Sequence, residues 1–267
     1  MKQKIIFFTF SEGTQFKYSK FHLSKLAESS GIFNSVFSFS FKDISNDFKK
    51  KYHPILSQKR GAGYWLWKIY FLDYFSKELN QDDIIIYMDA GSIFNKNGKK
   101  KLNEYLDMLK DSEYGNFRIK SLPDHIEKYY STKQLFEYFK IAPDNSLANS
   151  TQFEAGHMIF KNNLHTKSYI QEFIKVIDFD NNLITDFYNN YQNNEFFIEN
   201  RHDQSIFSLL SKLYGCVFVD NETDFRDNPS IQYDYPFLAL RRKGHGLKDQ
   251  IKLITNYKNE RYKPKFF

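Results

Sequence analysis

The chain has 267 residues, enough to bury a substantial core in one α/β domain, and its 41% hydrophobic and 26% charged residues suit a globular protein. A single cysteine, Cys216, excludes an internal disulfide framework and any zinc site built from several cysteines, which fits a reducing compartment. No stretch approaches the ~18 consecutive apolar residues needed to span a bilayer, and the first apolar run is too short and too β-branched or aromatic for a signal peptide, so a cytoplasmic protein is expected.

Aromatic content is high at 19%, with 29 Phe and 19 Tyr, and so general an excess gives no single aromatic a function. The formal charge of +6 is uneven: residues 241–267 hold nine Lys or Arg against Asp249 and Glu260, a local +7, while the rest sums to −1. That basic end carries Tyr257, Tyr262, Phe266 and Phe267. It is suited to an anionic membrane surface, a diphosphate or a nucleic acid, and equally to being a solvated tail. No nucleic-acid partner is expected.

In chain order, residues 4–10 form a β-prone run, and a helical pattern through Leu23, Leu26 and Ala27 stops at Gly31. Residues 32–39 read as a second strand, which gives the βαβ start of a parallel sheet. Ligands of such sheets gather at the carboxyl ends of strands, which places Thr9, Phe10 and Ser11 where a nucleotide binds. Residues 60–68, Arg-Gly-Ala-Gly-Tyr-Trp-Leu-Trp-Lys, are expected to open a helix with the stripe Leu66, Ile69, Leu72, Phe75 and Leu79. Residues 84–88 are a five-residue apolar run ending abruptly in Asp89, Ala90 and Gly91. Such continuous hydrophobicity predicts a strand buried on both faces, with a carboxylate at its carboxyl edge.

Three helical stripes follow: Leu102, Tyr105, Leu106 and Leu109; Ile170, Phe173, Ile174 and Ile177; Ile206, Leu209, Leu210 and Leu213. Between them, residues 153–160 read as a strand and 216–219 as a short buried one. Residues 178–199, dense in Asn and Tyr, read as a helix and loop insertion. There is no internal repeat and no domain linker. The expected fold is therefore one α/β domain over residues 1–246, with a mostly parallel central sheet flanked by helices, followed by a basic aromatic segment over 247–267.

Asp89, followed by two small residues, presents its carboxylate at a turn with room for a bulky ligand. By itself it can bind ribose hydroxyls, hold a divalent cation or cap the turn. Residues 87–91, Tyr-Met-Asp-Ala-Gly, together with the 60–68 segment, resemble a pair of motifs in bacterial glycosyltransferases of the GT-A fold associated with capsule and lipopolysaccharide assembly. The chain departs from that pattern at Ile69, where the pattern has a Pro, a change that bears on the helix start. Residues 153–160, Phe-Glu-Ala-Gly-His-Met-Ile-Phe, and the Asp203-Gln204 pair are similar to segments of retaining transferases of the glycogenin and lipopolysaccharide galactosyltransferase type. The ordered set spans residues 4–246, and its order argues more than any one motif.

The resemblance implies a hexosyltransferase that takes a nucleotide-sugar donor and a glycan or lipid-linked acceptor. Asp89, Asp203, Gln204 and Glu154 would serve catalysis, with Gln204 near the anomeric carbon and Asp203 on sugar hydroxyls. Donor contacts would come from Thr9, Phe10, Ser11, Arg60, Trp65, Lys68, Asp89, Gly91, Arg241 and Arg242, and acceptor contacts from Glu154, Gly156 and His157. The usual pair of carboxylates two positions apart is incomplete, because Gly91 stands at the second position. A divalent cation, Mn²⁺ or Mg²⁺, would then rest on Asp89 and His245, or the basic cluster Arg241, Arg242 and Lys243 would replace it. Each residue also has a plainer role: Trp65 and Trp67 as packing, His157 as a hydrogen-bonded structural histidine, Glu154 as a satisfied carboxylate, His202 and Asp203 as helix caps. Retention is favoured over inversion. Nucleotidyl transfer to a sugar phosphate and non-catalytic carbohydrate binding are the alternatives, although the 11–14 loop lacks the basic residues that nucleotidyl transfer uses.

Overall fold

The computed structural model describes residues 3–142, 144–224 and 231–240. Among the described residues eight strands form: β1 (Ile5–Phe10), β2 (Ser35–Phe39), β3 (Ile84–Met88), β4 (Ile93–Phe94), β5 (Asn116–Ile119), β6 (His157–Lys161), β7 (Val217–Val219) and β8 (Phe237–Leu238). Six make one sheet in the order β2-β1-β3-β6-β5-β7, and β4 pairs with β8 in a second, two-stranded sheet. In the large sheet β6 alone runs against its neighbours β3 and β5, and every other pairing is parallel. Expectation and structure agree on an α/β fold with a mostly parallel sheet.

The Ile-rich β3 sits between β1 and β6 and is buried along its whole length, as its unbroken apolar run requires. Its alternating side chains feed two cores. Ile84, Ile86 and Met88 join Phe7 of β1 under Leu23 and Ala27 of the Lys17–Ser29 helix and Leu102, Tyr105 and Leu109 of the Lys99–Lys110 helix. Ile85 and Tyr87 join Phe8 on the opposite face, covered by the helices Trp67–Glu78, Leu164–Phe179 and Asp203–Tyr214.

Several local expectations need correction. Residues 60–66 do not open the helix, which begins only at Trp67; they form a turn in which Gly61, Ala62, Gly63, Tyr64 and Trp65 all have positive φ. The sequence signal was the Gly pair, which supplies left-handed backbone more readily than a helix start. The 216–219 strand is a half-exposed edge, not a buried strand, and Phe218 faces outward. The second strand starts at Ser35 and the 153–160 strand at His157. Leu213 is exposed at the end of its stripe. β5, which sequence reading passed over, is a strand whose buried face carries Arg118. The 178–199 segment folds as two short 3₁₀ turns, Asn181–Ile184 and Phe187–Asn190, anchored by the buried Leu183 and Ile184.

The reversed β6 decides what meets at the sheet's carboxyl edge. Its amino end lies beside the carboxyl end of β3, with Met88 opposite His157, and the Asp89 amide donates to the Gly156 carbonyl at 2.8 Å. The 153–157 segment is thereby brought against Asp89 by backbone pairing.

Candidate active site

Asp89 leaves the end of β3 with its carboxylate about half exposed (45%), whereas the groups behind it are buried. The buried hydroxyl of Tyr87 donates to Asp89 Oδ1, and Lys68 Nζ lies 3.5 Å from the same oxygen. Asp89 Oδ2 has no partner among the described residues and faces Gly156, where an added methyl carbon would stand 3.2 Å from it. The side chain makes no hydrogen bond to the backbone of the following turn, which is closed instead by Ser92 N donating to the Asp89 carbonyl. One carboxylate oxygen is thus anchored and the other has no partner among the described residues.

Lys68 is the link that sequence reading did not anticipate. Its ammonium is wholly buried, 2.8 Å from Asp203 Oδ2, and donates to the Ala155 carbonyl at 2.8 Å. The 60–68 turn, β3, the 153–157 segment and the start of the Asp203–Tyr214 helix therefore converge on one nitrogen. Burial alone would lower the Lys68 pKa, but the carboxylates of Asp203 and Asp89 outweigh it and the net shift is upward. Burial also pushes the Asp203 carboxyl up to about 6, with Lys68 opposing and Asp89 adding repulsion. Tyr87 is pushed well above its ordinary value by burial and then by Asp89, so it stays a hydrogen-bond donor.

The turn before Lys68 is held by close contacts. Gly63 has φ +84°, and a Cβ there would lie 2.7 Å from the Leu56 Cα, while Trp67 Nε1 donates to the Gly61 carbonyl at 3.0 Å. Gly63→Ala is expected to cost about 2–4 kcal/mol through left-handed strain and the backbone clash. Thermal unfolding checks it; an unchanged melting temperature contradicts this view of the turn.

The segment leading to Asp203 is strained in its own way. His202 has φ +57° and ψ −120°, a conformation that costs a non-glycine residue about 1–3 kcal/mol. Its ring lies between Tyr64 and Trp65, at centroid distances of 5.1 and 5.4 Å, and its Nε2 bonds Asp186 Oδ1 at 3.0 Å. Burial lowers the His202 pKa. Arg60 points into this neighbourhood, 3.2 Å from Asp186 and 3.3 Å from Glu199, and Tyr64 also donates to Asp186. Arg60 therefore pairs with acids of the 178–199 segment, and Trp65 packs on His202.

On the other side, His157 is buried between Glu154, 2.8 Å from Nδ1, and Ser92, 2.8 Å from Nε2. Glu154 also accepts from Thr223 at 3.1 Å, so both its oxygens are engaged. Gln204 donates to Gln152 Oε1 at 2.9 Å. Thr9 and Ser11, at the carboxyl end of β1, are buried, and neither hydroxyl has a hydrogen-bond partner among the described residues. Phe10 is buried and stacked on Trp67, with centroids 4.0 Å apart. Gly91 is buried in the turn after Asp89. Arg241, Arg242 and His245 lie outside the described residues, as does Lys243. Among the described residues no three His, Cys, Asp or Glu side chains gather as a metal cluster, and no helix is long and apolar enough to cross a membrane.

The arrangement puts a half-exposed carboxylate at the same carboxyl edge of the sheet as two buried hydroxyls that lack a partner among the described residues, backed by a buried cation that holds two acids in place. No protein family's sequence pattern matches the chain, and no curated protein matches it in sequence. Solved structures similar to it in fold include a glycosyltransferase involved in glycosylation of the major capsid of PBCV-1, with a TM-score of 0.51 and 9% identity over 94% of this chain and 99% of that one. The WbbM bifunctional glycosyltransferase gives a TM-score of 0.55 and 11% identity over 96% of this chain, which spans 50% of WbbM. The fold of this chain, an α/β domain with a mostly parallel central sheet flanked by helices, is the GT-A-like fold of these glycosyltransferases.

Proposed function

We propose that the protein is a glycosyltransferase that moves a hexose from a nucleotide-sugar donor to a glycan or lipid-linked acceptor in bacterial surface polysaccharide assembly. The observation that carries this reading is the half-exposed Asp89 carboxylate at the end of β3, anchored through Oδ1 by Tyr87 and Lys68 and open at Oδ2. The catalytic domain covers residues 1–246, and the basic segment 247–267 serves contact with an anionic membrane bearing the acceptor.

In this reading the donor nucleotide lies along the carboxyl end of β1, beside Thr9, Phe10 and Ser11. The bond between the anomeric carbon and the diphosphate oxygen breaks with its electron pair going to the diphosphate. An acceptor hydroxyl oxygen forms the new bond and passes its proton to the departing diphosphate oxygen, which has gained that electron pair. The carbon is oxocarbenium-like at the crossing point, and the amide oxygen of Gln204 supplies a dipole beside it. Asp203 holds Lys68, which steadies Asp89. Glu154, Gly156 and His157 line the acceptor side. Because both Glu154 oxygens are occupied by His157 and Thr223, Glu154 is poorly placed to act as the base of an inverting reaction, which supports retention.

A divalent cation would be held by Asp89 together with the donor diphosphate, and His245, which lies outside the described residues, would be a further ligand. When bound it neutralises charge on the departing diphosphate. Arg241 and Arg242 would add to that neutralisation.

Purified protein offered a panel of nucleotide sugars should turn over one of them, and exhaustive chelation should abolish turnover until Mn²⁺ or Mg²⁺ is restored. The product anomer, read by NMR, should match the donor. Turnover unchanged by chelation would remove the cation. Formation of a nucleotide sugar from a sugar phosphate and a nucleoside triphosphate would favour nucleotidyl transfer, and glycan binding without any turnover would make this a binding protein.

A further inference from the structure

Gln204 sits in the first turn of the Asp203–Tyr214 helix, and its amide is held by a chain of side chains that leads to a wholly buried acid. Glu127 has no exposed surface, and its Oε1 accepts from Lys212 Nζ at 2.7 Å and from Ser208. Its Oε2 accepts from Ser131 Oγ at 3.0 Å and from Gln152 Nε2 at 3.0 Å. A carboxylate paired with an ammonium offers acceptors and no donor, so only the nitrogen end of the Gln152 amide can face it. The two other neighbours of that nitrogen agree. Ser131 spends its one proton on Glu127, and Ser205 spends its own on the Tyr130 carbonyl at 2.6 Å, so both hydroxyls can only accept from Gln152 Nε2, at 3.3 and 3.4 Å. Gln152 Oε1 must then face Gln204, whose Nε2 donates to it at 2.9 Å.

We infer that Glu127 and Gln152 are positioning residues that fix which end of the Gln204 amide is presented to the donor. With Nε2 bound to Gln152, the Gln204 oxygen is the end turned away from the buried network. An amide reversed at either position would set oxygen against oxygen and leave buried groups without a hydrogen bond. This inference rests on the glycosyltransferase reading, in which an oxygen and not an NH₂ group belongs beside the electron-poor anomeric carbon. The polarity of the chain makes a specific demand: the acid can be moved along it but not removed. Exchanging the two residues, as in the double variant Glu127→Gln with Gln152→Glu, keeps the net charge. It places a carboxylate next to Gln204 Nε2 and an amide nitrogen behind that carboxylate, and the amide oxygen introduced at position 127 still accepts from Lys212 and Ser208.

The test measures kcat and donor KM for four proteins together with the side-chain ¹⁵N amide signal of Gln204, assigned by its absence in Gln204→Ala. Glu127→Gln and Gln152→Glu alone should each lower kcat by about tenfold or more with donor KM changed by less than about threefold, because the lost interaction belongs to the transition state. Each should also shift the Gln204 amide signal and speed its solvent exchange. The double variant should return kcat to within about threefold of the parent and restore slow exchange. Single variants with parental kcat, or a double variant no better than either single one, would overturn the positioning role even where turnover is established. If the parent turns over no nucleotide sugar, the glycosyltransferase reading fails first. The amide signals then still decide whether the chain orients Gln204: shift and restoration uphold it, and indifference to both substitutions rejects it.

Discussion

Lys68→Met is expected to destabilise the protein by about 3–5 kcal/mol above pH 7 and to abolish turnover, since it leaves a buried carboxylate without its cation. Methionine keeps much of the stem volume but loses the ion pair with Asp203 at 2.8 Å, the contact with Asp89 and the bond to the Ala155 carbonyl. The loss should depend on pH in a direction that follows from Asp203. Its carboxyl is raised from 3.8 to about 6 in the folded protein, so between those values the native state binds more protons than the unfolded chain. Stability from this group therefore falls as pH rises from about 4 to about 6. Without Lys68 the folded carboxyl rises further, and the fall should continue above pH 6. Denaturant unfolding at pH 5 and pH 8 checks this: the variant should lose less at pH 5 than at pH 8, and equal losses would contradict the role given to the pair.

Asp89→Asn should do the reverse, sparing stability while removing activity. Its carboxylate is half exposed, so its Coulombic contribution is screened, and its negative charge lies near Asp203, whose ionisation it opposes. The amide is nearly isosteric, and its oxygen can still accept from Tyr87. We expect unfolding free energy to change by less than about 1 kcal/mol. Turnover should fall about 10²- to 10³-fold, as when one preorganised group at a developing charge is removed. Parallel denaturation and steady-state kinetics separate the two effects. Activity within about tenfold of the parent, at intact stability, would mean that Asp89 does not serve the donor.

The contrast between the two acids shows what was legible in the sequence. Asp89 could be placed because an unbroken apolar run, Ile84 to Met88, has one structural solution, a strand buried on both faces, and the chain must emerge where it ends. Asp203 could be placed at a helix start, but nothing local says that the helix begins with a left-handed His202 that turns the carboxylate into the core. Lys68 stood in a recognisable segment, yet its partners are 21 and 135 positions away, and sequence spacing carries no signal for contacts of that kind. The same holds for the reversal of β6. The apolar run Met158, Ile159 and Phe160 suits a strand of either direction, and only the structure shows that antiparallel pairing sets His157 opposite Met88. Glu127 and Gln152 were passed over because buried polar residues break the apolar periodicity by which core positions are read. The 60–66 turn was misread as a helix start because its Trp and Leu spacing suits a helix, while the positive φ of five successive residues is a backbone property set by Gly61, Gly63 and the packing on Leu56.

Whether the open Asp89 oxygen anchors the donor is decided by calorimetric titration of nucleoside diphosphates and their sugar conjugates, with Mn²⁺ present, into the parent and into Asp89→Ala. One nucleotide should bind the parent, and its affinity should drop at least about tenfold in the variant, equivalent to about 1.4 kcal/mol. Equal affinity for both proteins, or no binding of any nucleotide to the parent, would contradict that anchoring.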